Sequence, residues 1–347
     1  MDVRLSPEQQ ALRDSAAQVV DRLGPSAVGQ LDDAERVDKL DAAVAASGWR
    51  ELRTAEDTRA PLASGVEAAI VADELSRGLA DVPYLGPTLA AELRRLAGAP
   101  PATSSETVLL DARLSALAPV VAGAPVPGAV AIDAHGMDTA LTVVAGDGGG
   151  TLASVALQPV DQRTDLTRPS AVPVASATAV VPGDPGRPLT DDDLAAWTAL
   201  GLALTSADLV GTMRGAVELS CEYASSRRQY GAAIGSFQAV QHLLADAFVA
   251  TEGSRSVALH AAWAVDALAP RDALAAGAVA KAYAARAALG VCETAIQVHG
   301  GIGNTWECLA HVHLRRAMLS SDVLGGAGAN LQRVLVHHGI GDADGLR

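Results

Sequence analysis

Residues 225–239, SSRRQYGAAIGSFQA, combine features that a plain structural segment rarely needs together, and the chain on both sides has a helical pattern. Adjacent arginines, Arg227 and Arg228, precede the aromatic Tyr230 and a glycine. Arginine carries a planar fork of donors that suits phosphate. A helix predicted to begin near Gln238 favours an anion at the same place. The segment therefore predicts either an anion-binding turn between long helices or a plain helix–loop–helix connection.

A second glycine-rich segment, QVHGGIGNTWE at residues 297–307, lies further along the chain. Gly300, Gly301 and Gly303 fall within four residues, and glycine lets a backbone approach a flat ligand closely. Gln297 lies just before them and adds a polar side chain. A glycine at the end of a helix also accounts for the segment taken alone.

The predicted elements change character twice along the chain. Residues 1–100 show helical spacing, residues 101–188 hold short β-like runs separated by Gly, Pro and Asp, and residues 189–347 return to helix. We expect three domains with these bounds: an N-terminal helical domain, a reduced β domain and a C-terminal four-helix bundle. The predicted fold class is mainly α with a small central antiparallel β domain.

Helix starts can be read at several places. Ser6 and Thr190 each have a partner three residues on that predicts a capping box. The prolines and glycine between residues 83 and 87 are expected to break the chain before a helix at Thr88–Leu96. The last helices are expected at Trp306–Ser320 and Leu331–His338.

Composition limits the classes of partner. The chain has 347 residues, a formal net charge of −14 and a pI near 4.9, which argue against nucleic acid or an anionic membrane as a partner. Its three cysteines lack metal-ligand spacing, which favours free thiols in a reducing compartment. No apolar run predicts a membrane helix and no signal peptide is evident, so we expect a cytoplasmic protein.

No metal site is predicted. His311 and His313 stand two residues apart on a predicted helix, where their side chains point in different directions. Glu307 and His311 share a face of that predicted helix, which more often indicates a surface pair than a zinc site.

The two glycine-containing segments, with LRRA at residues 314–317, resemble the acyl-CoA dehydrogenases, flavoproteins whose helices surround a small β domain. The resemblance covers nearly the whole chain and is strongest from Gly211 to Arg316. It implies FAD as cofactor, held across a subunit interface. In this family an arginine matching Arg227 binds the pyrophosphate of a flavin held mainly by the neighbouring subunit. Gln229 stands where the family has a hydroxyl residue that assists.

The remaining cofactor residues implied by the resemblance lie in both segments. Phe237 and Gln238 match residues beside the adenosine part of FAD. Gln297, Gly300 and Gly301 match the loop that closes over the same cofactor from across the interface.

The catalytic features of the family are missing. Most members carry the glutamate base in a Tyr-Glu-Gly-Thr turn, where this chain has Gly326. Other members carry it near the region matching Leu200–Thr205, which has no acid, and a CoA-binding arginine there is replaced by Leu202. The acidic Thr-Glu-Pro signature and the tryptophan strand of the β domain are absent from residues 101–188. No catalytic residue is therefore assigned.

The resemblance implies a subunit that lacks its own catalytic glutamate and completes the FAD site of a homologous catalytic partner, as in actinobacterial α2β2 enzymes acting on steroid-CoA thioesters. The acyl-CoA substrate is then bound mainly by the partner, and an electron-transfer acceptor takes the electrons. One alternative is a homo-oligomer with a relocated base, for which Asp322 and Glu307 are the nearest acids. Another is a flavin-free scaffold or regulator.

Overall fold

The computed structural model describes residues 4–55, 60–146, 149–160, 164–175, 178–180 and 183–340. The β-like runs predicted in residues 101–188 include Val172–Val181, and the glycine-rich loop at residues 146–150 is predicted to be a hairpin turn. Parts of both segments lie outside the described ranges. Strand pairing of Gly146 with Gly149 shows that this loop closes a β-hairpin, as the sequence predicted.

The described residues of the N-terminal part form the helices α1 (Pro7–Leu23), α2 (Ala34–Ala46), α3 (Gly65–Arg77) and α4 (Leu85–Ala97). The capping box predicted at Ser6 is confirmed, since its hydroxyl accepts from the Gln9 amide and the Gln9 side chain accepts from the Ser6 amide. Each such bond satisfies an amide that the first turn of a helix leaves free.

Helix α4 begins earlier than predicted. Gly86 and Pro87 lie inside its first turn, where proline is tolerated because the amide needs no intrahelical acceptor. A Cβ on Gly86 would come within 2.0 Å of the Thr107 hydroxyl, so the glycine permits the close approach of the next element. The glycine and proline that were expected to break the chain thus belong to the helix.

Within its described residues, the central part contains the strands β1 (Glu106–Leu110), β2 (Val120–Val121), β3 (Ala124–Pro125), β4 (Val130–Ala131), β5 (Thr139–Gly146), β6 (Gly149–Pro159) and β7 (Ala171–Pro173). Strands β2 and β3 form a separate ribbon, and the others close a barrel in the order β1-β4-β7-β6-β5. The expected antiparallel arrangement is wrong at one pairing, because β1 runs parallel to β5 where the barrel closes.

The C-terminal part begins with α5 (Asp191–Ser226), followed by the ribbon of β8 (Arg228–Gln229) and β9 (Ala232–Ala233) and then by α6 (Gln238–Ala267), α7 (Pro270–His299), α8 (Ala310–Asp322) and α9 (Ala327–His337). Helices α5 to α8 pack together, and α9 packs on α7 as a further helix beyond the expected bundle. Thr190 caps α5 through the predicted capping box with Asp193.

Two of these helical segments, Asp191–Ser226 and Pro270–Asn304, are long and apolar enough to cross a membrane by length and composition alone. Their apolar windows are 78% and 56% buried inside the protein, respectively. Alanine is frequent along α7, and Ala278, Ala280 and Ala284 are fully buried. Small side chains permit close helix packing, and burial in the helical core accounts for the apolar character of both helices.

Candidate functional site

The arginine-rich segment forms a tight hairpin at the end of α5. Arg228 pairs with Ala233 and Gln229 with Ala232. The two residues of the loop, Tyr230 and Gly231, have φ of 51° and 79°, the signs of a type I′ turn. Tyrosine rarely adopts this left-handed conformation, and its side chain is 96% exposed. The hairpin thus presents an aromatic residue to solvent at its tip.

Arg227 is fixed by its backbone while its side chain remains exposed. Its amide donates to the Tyr223 carbonyl at 2.8 Å and its carbonyl accepts from the Ile234 amide at 2.8 Å. Within the described ranges, the guanidinium of Arg227 forms no ion pair. Gln229 is also exposed, and its side-chain amide donates to the Arg228 carbonyl at 2.9 Å. The fork of Arg227 is therefore open to an external acceptor.

A short 3₁₀ turn, Ile234–Ser236, leads from the hairpin to α6, which starts without a side-chain cap. Phe237 occupies the N-cap position and lies edge-on to Tyr230, with ring centroids 6.3 Å apart. Gln238 is the first helical residue, and its side chain lies 3.4 Å from the His242 Nε2. Uncapped amides at a helix N-terminus attract an anion. The start of α6 and Arg227 therefore offer donors of the same kind.

The second segment ends α7. Gly300 has φ of 66° and caps the helix, as the sequence analysis allowed, and a short 3₁₀ turn continues to Asn304. Gln297, Gly300 and Gly301 are all exposed, and a Cβ on either glycine would meet no other atom. Backbone and a polar side chain are therefore accessible together at this helix end.

An aromatic stack joins the two segments. Tyr223, one turn before the end of α5, stacks on His299 with ring centroids 4.5 Å apart. The ends of α5 and α7 thus lie side by side at one end of the bundle. We call the exposed residues there the hairpin–loop surface: Arg227, Gln229, Phe237, Gln238, Gln297, Gly300 and Gly301.

The turn between α8 and α9 is buried, unlike the hairpin–loop surface. Leu324 is fully buried, with φ of 60°, and Gly325 follows with φ of 92°. A Cβ on Gly201 would come within 2.2 Å of the Leu324 side chain, so α5 makes room for this leucine. The Leu324 amide donates to the Leu114 carbonyl at 2.6 Å, which attaches the turn to the loop after β1.

The neighbouring stretch of α5 holds no acidic side chain either. Residues 200–205 are all fully buried or nearly so, and Leu202 packs where a Cβ on Gly277 would come within 3.0 Å. The turn itself has Gly326, whose missing Cβ position lies 3.5 Å from the Asp322 Oδ1. Asp322 is exposed and is the acid closest to that position.

Glu307 precedes α8, although the sequence predicted it inside that helix. Helix α8 begins at Ala310 rather than Trp306, so Glu307 and His311 do not share a helical face. His311 contacts Trp306 instead, with ring centroids 5.2 Å apart. Of the two acids named for a relocated base, Asp322 is the one that the structure places directly beside Gly326.

A buried ionic cluster was not found by sequence reasoning. Asp208 on α5 accepts from Arg316 on α8 at 2.7 Å and lies 3.3 Å from Arg168, which precedes β7 of the barrel. Burial alone raises the pKa of Asp208, but these two arginines hold its pKa below the ordinary value. Lys281 on α7 is buried next to the cluster. Its sequence signal is its rarity, because the chain has only one other lysine, Lys39.

Comparisons with known proteins give the family. Residues 199–339 match the model described as acyl-CoA dehydrogenase, C-terminal domain. Over 276 residues the chain is 35% identical to acyl-CoA dehydrogenase IpdE2 of Mycobacterium tuberculosis, covering 77% of this chain and 76% of that relative. The chain belongs to the acyl-CoA dehydrogenase family.

Solved structures show the same fold for this dehydrogenase. A variant of the Tcur3481–Tcur3483 steroid ACAD superposes with a TM-score of 0.78 at 22% identity, covering 96% of this chain and 98% of that one. The ChsE4–ChsE5 complex from Mycobacterium tuberculosis gives a TM-score of 0.71 at 20% identity, covering 98% and 99%. Members of the family are FAD-dependent oxidoreductases, which gives this chain an acyl-CoA dehydrogenase-type function.

The hairpin–loop surface of the dehydrogenase fits a part of FAD. An exposed guanidinium and the uncapped start of α6 supply the donors that a pyrophosphate requires. The accessible backbone at Gly300 and Gly301 suits a planar group, since a Cβ on either glycine would have no atom of the described residues within 4 Å. The donor set therefore agrees with the cofactor that the family binds.

Proposed function

We propose that this chain is the non-catalytic subunit of a heteromeric, FAD-dependent acyl-CoA dehydrogenase. It completes the FAD site of a homologous catalytic partner and relies on that partner for the glutamate base. One observation carries the proposal: the hairpin–loop surface is exposed and rich in donors, whereas the turn at Gly326 is tightly bonded and carries no acid.

The chemistry of the family explains why the missing acid matters. Desaturation requires a carboxylate against the substrate Cα to remove a proton, while the bound flavin supplies the acceptor for the β-hydrogen. In this chain neither Gly326 nor residues 200–205 offers that carboxylate. A partner with an intact turn must provide the base.

The residues of the hairpin–loop surface have separate roles in this proposal. Arg227 binds the pyrophosphate as a two-pronged donor, with Gln229 as a neutral donor beside it. Phe237 and Gln238 lie against the adenosine part. Gln297, Gly300 and Gly301 close over the same cofactor, which is shared across the interface.

The assembly proposed is α2β2, in the cytoplasm, with the acyl-CoA bound mainly by the catalytic subunit and an electron-transfer acceptor as the redox partner. Two structural neighbours support a mixed assembly, because their names pair two gene products: Tcur3481–Tcur3483 and ChsE4–ChsE5. The first of these is named a steroid ACAD, which supports a steroid-derived acyl group as substrate.

Co-expression tests the proposal. The chain should be produced alone and also together with a dehydrogenase-like protein from an adjacent gene. We expect a yellow complex from the second preparation and a colourless chain from the first. A yellow, active preparation of the chain alone contradicts the proposal.

A homo-oligomer with a relocated base is the second candidate, because the Asp322 Oδ1 lies 3.5 Å from the missing Cβ of Gly326. If Asp322 is the base, Asp322→Asn should lower turnover by about 10²- to 10⁴-fold, whereas the control Glu307→Gln should not. Under the heteromeric proposal, Asp322→Asn leaves turnover of the complex within about twofold.

A further inference from the structure

Lys281 lies in the interior of the helical bundle with no exposed surface. Its Nζ donates to the Val323 carbonyl at 2.8 Å and to the Ser320 carbonyl. These carbonyls lie in the last turn of α8 and at its C-cap, where a helix leaves its acceptors without intrahelical donors. A lysine from α7 thus takes the place of the missing donors at the end of α8.

The following carbonyls are also bonded to side chains. Arg333 donates to the Leu324 carbonyl at 2.6 Å, and Asn330 donates to the carbonyls of Gly325 and Gly326 at 2.6 and 3.1 Å. The backbone from α8 to α9 is therefore held from both sides. Leu324 and Gly325 are consecutive residues with positive φ, and these hydrogen bonds hold them in that conformation.

Of the side chains that bind the carbonyls of this turn, Lys281 is the one that comes from α7. Asn330 and Arg333 lie on α9, directly after the turn, whereas Lys281 lies on α7 and is far away in sequence. Ser320 also donates its hydroxyl to Asp208, which connects the end of α8 to α5 and to the buried cluster. The position of the turn thus depends on how α7 and α5 are packed.

We propose that Lys281 is a positioning residue, which fixes the turn at Leu324–Gly326 relative to the bundle by binding the last carbonyls of α8. It touches neither substrate nor cofactor and acts through the turn. The proposal concerns the turn itself and holds for a chain with or without its own base.

The charge of Lys281 provides a readout specific to this role. Burial lowers its pKa to about 7, against the opposing effect of Asp208. The other charged groups that face it are Arg168, Asp322 and Arg333. In an opened or unfolded state the lysine returns toward its ordinary pKa of about 10.4. The open state then binds more protons than the closed state between pH 7 and pH 10, so closure becomes more favourable as the pH rises.

The test compares hydrogen exchange of residues 318–330 in the full-length chain with that of Lys281→Met, from pH 6.5 to pH 9. Methionine is close in size to the four-carbon stem of lysine and carries neither the ammonium donor nor its charge. We expect weaker protection of the turn in Lys281→Met. The ratio of the opening constants of Lys281→Met and the unsubstituted chain should increase with pH, by up to about tenfold per pH unit.

Lys39→Met is the matched control, because Lys39 is the other lysine and its side chain is 61% exposed. It should leave protection of the turn unchanged at every pH. If the ratio of the opening constants of Lys281→Met and the unsubstituted chain does not vary with pH, Lys281 has a packing role only and the proposal is overturned. If Lys281→Met does not fold, the unsubstituted chain alone decides: protection of residues 318–330 should rise with pH relative to residues 7–23, and parallel profiles overturn the proposal.

Discussion

The hairpin–loop surface and the turn at Leu324–Gly326 differ in how their polar groups are satisfied. At the hairpin, Arg227 and the first amides of α6 remain open to an external acceptor. At the turn, the carbonyls from Leu324 to Gly326 are bonded to Arg333 and Asn330. Buried polar groups require partners, whereas exposed donors are available for binding. This difference supports the proposal that the chain contributes to a neighbour's FAD site, while its own turn has a structural role.

The largest expected effect concerns activity. Because the turn has no carboxylate, the purified, partner-free chain should show no acyl-CoA dehydrogenation with an artificial electron acceptor. Loss of a general base lowers turnover by about 10²- to 10⁴-fold relative to a complete site. The complex with the catalytic partner is the positive control in the same assay. Steady turnover by the chain alone would show that it has a base of its own, and would contradict the contrast between a binding hairpin–loop surface and a structural turn.

The turn should matter more for folding than the hairpin. Leu324→Ala leaves a cavity against Gly201 and should lower the free energy of unfolding by about 2–5 kcal/mol. Chemical denaturation of the isolated chain measures this change. A loss below about 0.5 kcal/mol would show that the turn is loosely packed and would weaken the comparison.

Arg227 should matter for the cofactor and not for the fold. Arg227→Ala in the complex removes a charge-assisted bond of about 1.5–3 kcal/mol and should weaken FAD retention about tenfold or more. Arg227→Lys should restore part of it, because a point charge cannot reproduce the fork. Arg228→Ala removes the same charge from the next residue and is the matched control.

FAD content after dialysis distinguishes these variants. Equal retention in Arg227→Ala and the unsubstituted complex, with both well folded, contradicts the assignment and favours a plain helix–loop–helix connection. Equal loss in Arg227→Ala and Arg228→Ala would show that only the total charge of the hairpin matters.

The smallest effect is expected at the hairpin tip. Tyr230 is 96% exposed, so Tyr230→Ala should change the free energy of unfolding of the isolated chain by no more than about 0.5 kcal/mol. Thermal unfolding of Tyr230→Ala and Leu324→Ala, measured under the same conditions, compares the loss of stability in the two regions. A loss above about 2 kcal/mol at Tyr230 would show that the hairpin is part of the core.

Local signals account for what the sequence predicted well. Ser6 and Thr190 cap their helices because each needs only a partner three residues away. Gly300 ends α7 because glycine adopts positive φ without steric cost. Such features depend on a few neighbouring residues and are therefore visible in the chain.

Features that depend on distant contacts were missed. The parallel pairing of β1 with β5 is decided when the barrel closes, and no local pattern encodes it. Gly86 reads as a helix breaker, yet the Thr107 hydroxyl requires a small residue there. Lys281 lies in an alanine-rich helix, and only the tertiary structure shows that it binds the end of α8.

The ratio of FAD to chains in the purified assembly tests the central claim most directly. Under the proposed assembly, flavin absorbance measured against protein mass should give near one FAD per heterodimer, because two different chains complete each site and the catalytic partner supplies the base. One FAD per chain in both subunits, or a stable FAD-containing assembly of this chain alone, would contradict it.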